Sequence, residues 1–355
     1  MSQLQHAVAE IPRTAPPVQA SRWPDAGRRR TVLRWARPLG GAAILAVLVA
    51  RLGTGAFLDG VRRIDGWSLA VAAGIAVLTT VCSAWRWSLV SRGLGVAVPL
   101  RPAVASYYRS QFLNTTLPGG VLGDVHRGVR HGRDAGDVSR GLRAVAWERF
   151  AGQGVQLVLT LGVLLLLPSP VRSSVPVLAI VLVAVIAGAL YLSRAEPQSG
   201  SSRWARTLRA TAADLRDGLY ARRAWPGIVL ASVVIVAGHV ATFLIAARTA
   251  GSTASPARMV PLALLVLLAA AVPANVGGWG PREGVAAWAF AAAGMGASAG
   301  VGAAAVFGVM VFVSSLPGAV VLIADWVHRQ AWSPHEAEAR WFRPATAHPE
   351  GIERG

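Results

Sequence analysis

A series of long apolar runs, nearly free of charged residues, constrains the fold of this chain more than any other feature. Several runs extend for about 18 residues or more, and an α-helix needs about 20 apolar residues to cross the roughly 30 Å hydrocarbon core of a bilayer. Only 15% of the 355 residues are charged, whereas a soluble domain has about 25%. The runs therefore predict an all-α polytopic membrane protein.

We expect about six spanning helices, separated by polar segments. Their predicted ranges are 38–57, 67–90, 144–167, 176–192, 226–247 and 299–326. Two further apolar segments, around residues 102–117 and 256–294, are interrupted by Pro and Gly. They predict re-entrant helical hairpins, because broken backbone at membrane depth is tolerated only against protein or a water-filled cavity. If the arms of the second hairpin cross fully, the chain has eight spans, and the sequence leaves both counts open.

Each hairpin contains a stretch that we call a break. The first break, residues 114–130, reads Asn-Thr-Thr-Leu-Pro-Gly-Gly-Val-Leu-Gly-Asp-Val-His-Arg-Gly-Val-Arg. The second break, residues 272–284, reads Val-Pro-Ala-Asn-Val-Gly-Gly-Trp-Gly-Pro-Arg-Glu-Gly. Broken apolar segments at corresponding places in two halves are typical of transporters built as inverted repeats, whose binding site lies near the bilayer midplane. We therefore expect the two breaks to lie face to face.

All 35 basic residues are arginine, and their distribution predicts the orientation of the chain. Twenty-five of them lie in the terminal tails and in alternate loops. The positive-inside rule assigns these segments, with both termini, to the cytoplasmic side of the plasma membrane. Attraction to anionic headgroups also explains the net charge of +18, so we do not expect nucleic-acid binding.

The composition of the remaining segments predicts the domain organisation. Residues 1–37 are rich in Pro, Ala and Arg and are expected to form a disordered cytoplasmic tail. The membrane domain then covers residues 38–326, with a cationic loop at 124–143 and an amphipathic cytoplasmic loop at 194–225. Residues 327–355 form a second cytoplasmic tail. The tryptophans expected to anchor the helices at the membrane interface are Trp67, Trp85, Trp87, Trp225 and Trp326.

Four motifs follow one another along the chain. Residues 112–128 read Phe-Leu-Asn-Thr-Thr-Leu-Pro-Gly-Gly-Val-Leu-Gly-Asp-Val-His-Arg-Gly. The others are Trp-Glu-Arg-Phe at 147–150, Gly-Trp-Gly-Pro-Arg-Glu-Gly at 278–284 and Ser-Leu-Pro-Gly at 315–318. In this order they resemble the lysylphosphatidylglycerol synthase membrane-domain family, also called flippase-like, whose first signature is N-x-x-x-P-G-G-x-G-G-D-x-x-R. Leu122 stands in place of one Gly of that signature, and Pro281 precedes the Arg-Glu-Gly of the later one.

The resemblance covers about residues 40–326 and implies a membrane protein that translocates or handles lipid. Full-length synthases of the family continue into a soluble aminoacyl-transferase domain. Fewer than 30 residues follow Trp326 here, too few for such a domain. The expected chain is therefore the membrane domain without the transferase, and not an enzyme.

The candidate site consists of polar residues at the two breaks and at helix starts beside them. The predicted substrate-binding residues are Asn114, Gly119, Gly120, Asp124, Arg127, Glu148, Arg149, Asn275, Gly278, Gly280, Arg282 and Glu283. Free backbone N–H groups in Gly-rich turns bind phosphate, and the planar guanidinium group holds two phosphate oxygens at once. Structural roles are the alternative, since glycines permit close packing and asparagines cap freed backbone groups.

Charges at membrane depth have a partner or face a cavity, because they are costly to insert. We expect the pairs Glu148–Arg149 and Arg282–Glu283 to meet across the core, either as headgroup ligands, latch or proton relay, or as a structural ion pair. His239 and Asp325 are isolated polar residues, for which structural roles are expected. The lone Cys82 excludes an intrachain disulfide and a Cys-based metal site, and no metal or cofactor is expected.

The leading hypothesis is a lipid flippase that moves an anionic or polyprenyl-linked lipid between leaflets. An accessory or scaffold protein for a lipid-modifying or glycosyl-transfer enzyme is the alternative, with residues 194–225 as the docking loop. A membrane-embedded polyprenyl-lipid transferase is a third possibility, which the lack of a metal-binding acidic motif disfavours. The expected partner is a membrane lipid with an anionic headgroup, and a homo-oligomer or a partner enzyme is compatible with each hypothesis.

Overall fold

The chain is an all-α membrane protein, as the apolar runs predict. The computed structural model describes residues 39, 42–174, 176–177, 179–180, 187–188, 191, 213–214 and 224–331. All of them belong to one compact unit, Arg37–Gly355. Within these residues the only β-type pairing is an isolated bridge between Val276 and Trp279, in the second break.

Eleven helices are numbered here in chain order. They are α1 Ala42–Leu52, α2 Gly55–Arg62, α3 Gly66–Gly93, α4 Leu100–Thr116, α5 Leu122–Asp134, α6 Val138–Leu166, α7 Trp225–Thr249, α8 Pro256–Ala270, α9 Pro281–Ala292, α10 Ala297–Ser315 and α11 Pro317–Ala331. A short 3-10 turn, Arg172–Ser174, follows α6. The first break lies between α4 and α5 and extends along α5, and the second break lies between α8 and α9.

Four helical segments are long and apolar enough to cross a membrane among the described residues. They are Gly66–Gly93, Val138–Leu166, Trp225–Thr249 and Ala297–His328, and they match four of the predicted spans. The predicted span at 38–57 contains the shorter α1 and the start of α2. The predicted span at 176–192 and the predicted loop at 194–225 lie mostly outside the described residues.

Residues 124–143 are helical, so the prediction of a cationic loop there is wrong. They form most of α5 and the first turns of α6, joined by a tight turn in which Asp137 caps α6 by accepting a hydrogen bond from the Arg140 amide at 2.9 Å. Glycines explain how so polar a segment packs: a Cβ on Gly141 would lie 2.5 Å from the Gly128 carbonyl oxygen. The close approach of the two backbones stabilises helices that hydropathy alone does not indicate.

The apolar core lies among α7, α8, α9 and α10. The ring centroid of Phe243 lies 6.3 Å from that of Phe290 and 5.7 Å from that of Phe307, and all three rings are buried. Small residues on α10 bring its neighbours close, since a Cβ on Gly300 would clash with the Ala286 carbonyl on α9. Small residues are the usual means of packing helices in a bilayer, because the hydrophobic effect does not drive helices together there.

The prediction of an interfacial belt is wrong for Trp87. This side chain is only 1% exposed, and its neighbour Arg86 is 6% exposed. Both belong to a buried cluster described below, because Arg86 finds a carboxylate partner on α6. Trp67, Trp225 and Trp326 are exposed.

Candidate functional site

The two breaks lie in direct contact, as the sequence predicts. The amide of Gly119 donates a hydrogen bond of 2.9 Å to the carbonyl oxygen of Asn275. Gly120 has φ +62° and no room for a Cβ, which would clash with the Asn275 side chain. A glycine at position 120 therefore meets two requirements at once, the left-handed backbone and the close approach of the second break.

Asp124 is the centre of the polar network at the first break. It lies in the first turn of α5 and accepts hydrogen bonds from Ser110 Oγ at 3.0 Å and Asn114 Nδ2 at 3.1 Å. The Asn114 side-chain oxygen in turn accepts from the Gly123 amide at 2.8 Å. Asn114 thus caps a free backbone N–H group of α5, the structural role that was the alternative to a ligand role.

Two arginines hold Asp124 in its ionised form. Arg149 Nη2 lies 2.6 Å from Oδ2, and Arg127 Nη2 lies 3.1 Å from Oδ1. Burial acts to raise the pKa of the Asp124 carboxyl, but the charges of Arg149 and Arg127 outweigh it and lower the pKa to about 2. The carboxylate is therefore charged at any physiological pH.

Glu148, fully buried on α6, joins three helices. Its Oε1 accepts from Arg86 Nε at 2.9 Å and Nη2 at 2.5 Å, and its Oε2 accepts from Arg127 Nη2 at 3.2 Å. Arg86 also donates to Ser232 Oγ on α7 at 2.9 Å. A carboxylate shared by α3, α5 and α6 fixes these helices relative to one another.

Aromatic rings complete the surroundings of Arg127. Its guanidinium carbon lies 4.0 Å from the ring centroid of Tyr107 and 4.5 Å from that of Trp87. Cation–π contacts of this kind are strongest where water is excluded, and Arg127 is only 1% exposed. Arg127 is thus enclosed by protein rather than directed to solvent.

The second break contains a polar network with fewer residues, centred on the ion pair of Arg282 and Glu283. Glu283 accepts from the Gly280 amide at 2.7 Å through Oε2, and from Arg282 Nε at 2.8 Å and Nη2 at 2.5 Å through Oε1. Gly280 has φ +124°, a backbone that requires glycine, and α9 begins with Pro281 immediately after it. Trp279 lies beside the Arg282 guanidinium, with its ring centroid at 5.2 Å.

Among the described residues no ion pair joins the two acid–arginine motifs. Glu148 pairs with Arg86 and Arg127, and Arg282 pairs with its neighbour Glu283. The sequence predicts that the two motifs meet across the core, and among these residues they do not do so through a direct ion pair. They instead contribute to one cavity between them.

A cavity of about 320 Å³ lies where the two breaks meet. Arg86, Arg149 and Arg282 line it from three different helices, and no Asp or Glu is among the described residues of its lining. Its other polar lining includes Tyr107, Gln111, Asn114, Gln153, Gln156, His239 and Asn275. Its size is near the lower end of about 300–1,000 Å³ that is common for small-molecule sites, and its charge suits an anion.

The structure divides the predicted site residues into three groups. Those that line the cavity are Asn114, Gly120, Arg149, Asn275, Gly278 and Arg282. Asp124, Arg127, Glu148 and Glu283 instead hold the lining arginines or one another. Gly119 and Gly280 form the backbone of the breaks. The carboxylates therefore lie behind the arginines, not in the cavity.

Sequence reasoning missed Arg86 and the glutamines of α4 and α6. A charged residue inside an apolar span is by itself a signal of a polar site, and Arg86, inside the predicted span at 67–90, is such a residue. The glutamines carry no comparable signal. Within the described part of the chain, no group of three His, Cys, Asp or Glu residues is placed to hold a metal ion.

A comparison with known families matches residues 34–318 to the profile described as the lysylphosphatidylglycerol synthase TM region. The match covers most of the 355 residues and includes both breaks. No curated protein and no solved structure shows significant similarity to the chain.

Proposed function

The chain belongs to the family of lysylphosphatidylglycerol synthase transmembrane regions, and from this premise we propose that it moves an anionic or polyprenyl-linked lipid between leaflets. One observation carries the proposal: in the part of the chain that the structure describes, three arginines and no carboxylate line the cavity where the two breaks meet. The carboxylates behind the lining do not fully offset the arginines, because Arg86, Arg127, Arg149 and Arg282 share the three carboxylates Asp124, Glu148 and Glu283. A phosphate-containing headgroup would supply the remaining negative charge. The family is related to membrane lipids, which favours a lipid as the molecule that carries this headgroup.

The cavity is too small for a whole lipid, which supports a mechanism in which the headgroup enters alone. The acyl or prenyl chains then stay in the hydrocarbon while the headgroup crosses through the polar region. Arg149 is the best candidate for the main headgroup ligand, since its side chain is 42% exposed whereas those of Arg86 and Arg282 are 7% and 6% exposed. Its bond to Asp124 uses Nη2 and leaves other donors for a ligand.

Three further features belong to this proposal. The two hairpins are re-entrant and related as an inverted repeat, with the cavity near the bilayer midplane. Both termini lie in the cytoplasm, and the membrane is the plasma membrane. The membrane domain covers residues 38–326 and translocates lipid without catalysing a reaction of its own.

Flipping in proteoliposomes tests the function. The full-length protein is reconstituted with fluorescent phosphatidylglycerol or, in a second arm, a fluorescent polyprenyl phosphate, and chemical bleaching of the outer leaflet follows movement. We expect faster flipping than in protein-free liposomes. Arg149→Gln removes a charge-assisted hydrogen bond worth about 1.5–3 kcal/mol and should slow flipping by about tenfold or more.

Arg140→Gln is the matched control for Arg149→Gln, because it removes an arginine from the same helix at a position where the side chain is 51% exposed and pairs only with Asp137. We expect this variant to flip lipid at the wild-type rate. Absence of flipping for every anionic lipid would contradict the proposal and favour the accessory or scaffold role instead.

A further inference from the structure

One cavity-lining side chain is a histidine, which can gain a proton. His239 lies near the middle of α7, a candidate spanning helix, and lines the cavity together with the arginines. Histidine is the side chain whose ordinary pKa, about 6.5, brings a change of charge into the physiological range. No hydrogen bond joins His239 to another described residue, so a ring nitrogen is available to accept a proton.

The other charged and titratable lining groups are arginines and one tyrosine. Among the described residues, Arg86 comes from α3, Arg149 from α6, Arg282 from α9 and Tyr107 from α4. Helices α8 and α10 contribute only uncharged side chains to the lining. Arg86 and Arg149 lie close enough to act on His239 electrostatically. In the empty cavity an imidazolium would therefore face like charges.

An anion in the cavity reverses this balance. A phosphate group among the arginines offsets their charge and attracts a positive imidazolium, so a protonated His239 is more favourable with the anion bound than without it. By linkage, protonation of His239 must then strengthen anion binding by the same factor. Binding of the headgroup and binding of a proton are coupled through the electrostatics of one cavity.

We propose that His239 is a proton site and that the protein takes up a proton with each anionic headgroup. The proton comes from water and binds the unprotonated ring nitrogen, and it returns to water when the headgroup leaves. A phosphodiester with a single negative charge would then cross with its proton as a neutral pair. This coupling rests on the proposed function, to which it adds proton-coupled transport.

Calorimetry in two buffers measures the coupling directly. Dihexanoyl phosphatidylglycerol is titrated into the detergent-solubilised full-length protein at one pH in buffers of different ionisation enthalpy, and the difference in heat gives the protons taken up. We expect net uptake of up to about one proton per lipid, and an affinity that falls by up to about tenfold per unit rise in pH. The sign follows because the bound state holds more protons.

His239→Gln should bind the lipid without proton uptake and with an affinity that is independent of pH. Thermal unfolding shows whether the variant is folded, and His239→Asn provides a second variant. His328→Gln is the matched control, because His328 is an exposed histidine on α11 outside the cavity. It should keep the wild-type proton uptake.

The outcomes separate this proposal from the function on which it rests. Lipid binding by the wild type without proton uptake, or uptake that persists in His239→Gln, overturns the coupling and leaves the lipid function standing. Absence of binding to phosphatidylglycerol and to inorganic phosphate overturns both. In proteoliposomes, a pH gradient should accelerate flipping by the wild type and not by His239→Gln.

Discussion

At the scale of single residues, the site depends on carboxylates that never reach the cavity. Glu148 is fully buried and accepts hydrogen bonds from Arg86 and Arg127, and Glu283 is fully buried beside Arg282. Each carboxylate orients a guanidinium group and offsets its charge, so that an empty cavity lined by arginines is tolerated within apolar surroundings. The acids that the sequence singles out therefore act through the arginines.

Glu148→Gln should be strongly destabilising. The substitution leaves the buried Arg86 and Arg127 without the charge that both share, and breaking a buried ion pair in this way costs about 3–5 kcal/mol. Thermal unfolding in detergent or nanodiscs measures the loss. Arg140→Gln, which removes a charge from an exposed pair on the same helix, should cost less than about 1 kcal/mol. Equal stability of the two variants would show that the buried network contributes little.

The residue types of the site are predictable from sequence, but their partners are not. Glu148 was expected to act with its neighbour Arg149, whereas the structure pairs it with Arg86, 62 positions earlier in the chain. Arg149 reaches Asp124 instead. Hydropathy and motifs identify a charge that needs a partner, and only helix packing selects which one.

At the scale of elements, the helical hairpin of α5 and α6 positions the first half of the site. Asp124 and Arg127 come from α5, and Glu148 and Arg149 from α6. The distance between these helices therefore sets the length of the two ion pairs that join them, Arg127–Glu148 and Arg149–Asp124. A Cβ atom at position 141 would lie only 2.5 Å from the backbone of Gly128 and Gly132. The glycine at this position therefore permits the short distance between the two helices.

Gly141→Ala should force the two helices apart. Backbone atoms cannot move aside as a flexible side chain would, so we expect an overpacking cost of about 1–3 kcal/mol and slower lipid flipping. Gly154→Ala is the matched control on the same helix, since nothing lies within 4 Å of its built Cβ. That variant should keep its stability or gain about 0.5–1 kcal/mol from better helix propensity. Thermal unfolding of both variants makes the comparison, and equal melting temperatures would contradict it.

Hydropathy predicts the long helices and fails for this hairpin, for a physical reason. A helix that crosses a bilayer needs a minimum length of apolar sequence, which can be read directly, as for α3, α6 and α7. Helix α5 contains five charged residues and three glycines in the 13 residues of Leu122–Asp134. Its stability comes from contacts with α4 and α6. The face of α5 that makes these contacts is polar, with Asp124 and Arg127 buried, so hydropathy does not reveal it.

At the scale of the whole molecule, the two breaks approach each other from distant parts of the chain. The Gly119–Asn275 hydrogen bond joins positions more than 150 residues apart. Proline and glycine patterns predict this meeting, because irregular backbone inside a membrane must find protein or water. In the proposed transport a headgroup enters and leaves the cavity, which requires helices that line it to separate, among them α4 and α10.

A reversible crosslink tests that requirement. Thr115 on α4 and Ser315 at the end of α10 have their side-chain oxygens 3.1 Å apart, so cysteines at these positions should form a disulfide under oxidation. The background carries Cys82→Ala, which removes the lone native thiol. We expect flipping by oxidised Thr115→Cys/Ser315→Cys to fall to the rate of protein-free liposomes, and reduction to restore it.

The single variants Thr115→Cys and Ser315→Cys distinguish the crosslink from the substitutions themselves, since neither can form the disulfide and neither should respond to oxidation. Mass spectrometry of the oxidised double variant verifies that the bond has formed. Undiminished flipping by fully crosslinked protein would mean that α4 and α10 stay together throughout transport. The headgroup would then have to leave on a side of the cavity away from these two helices.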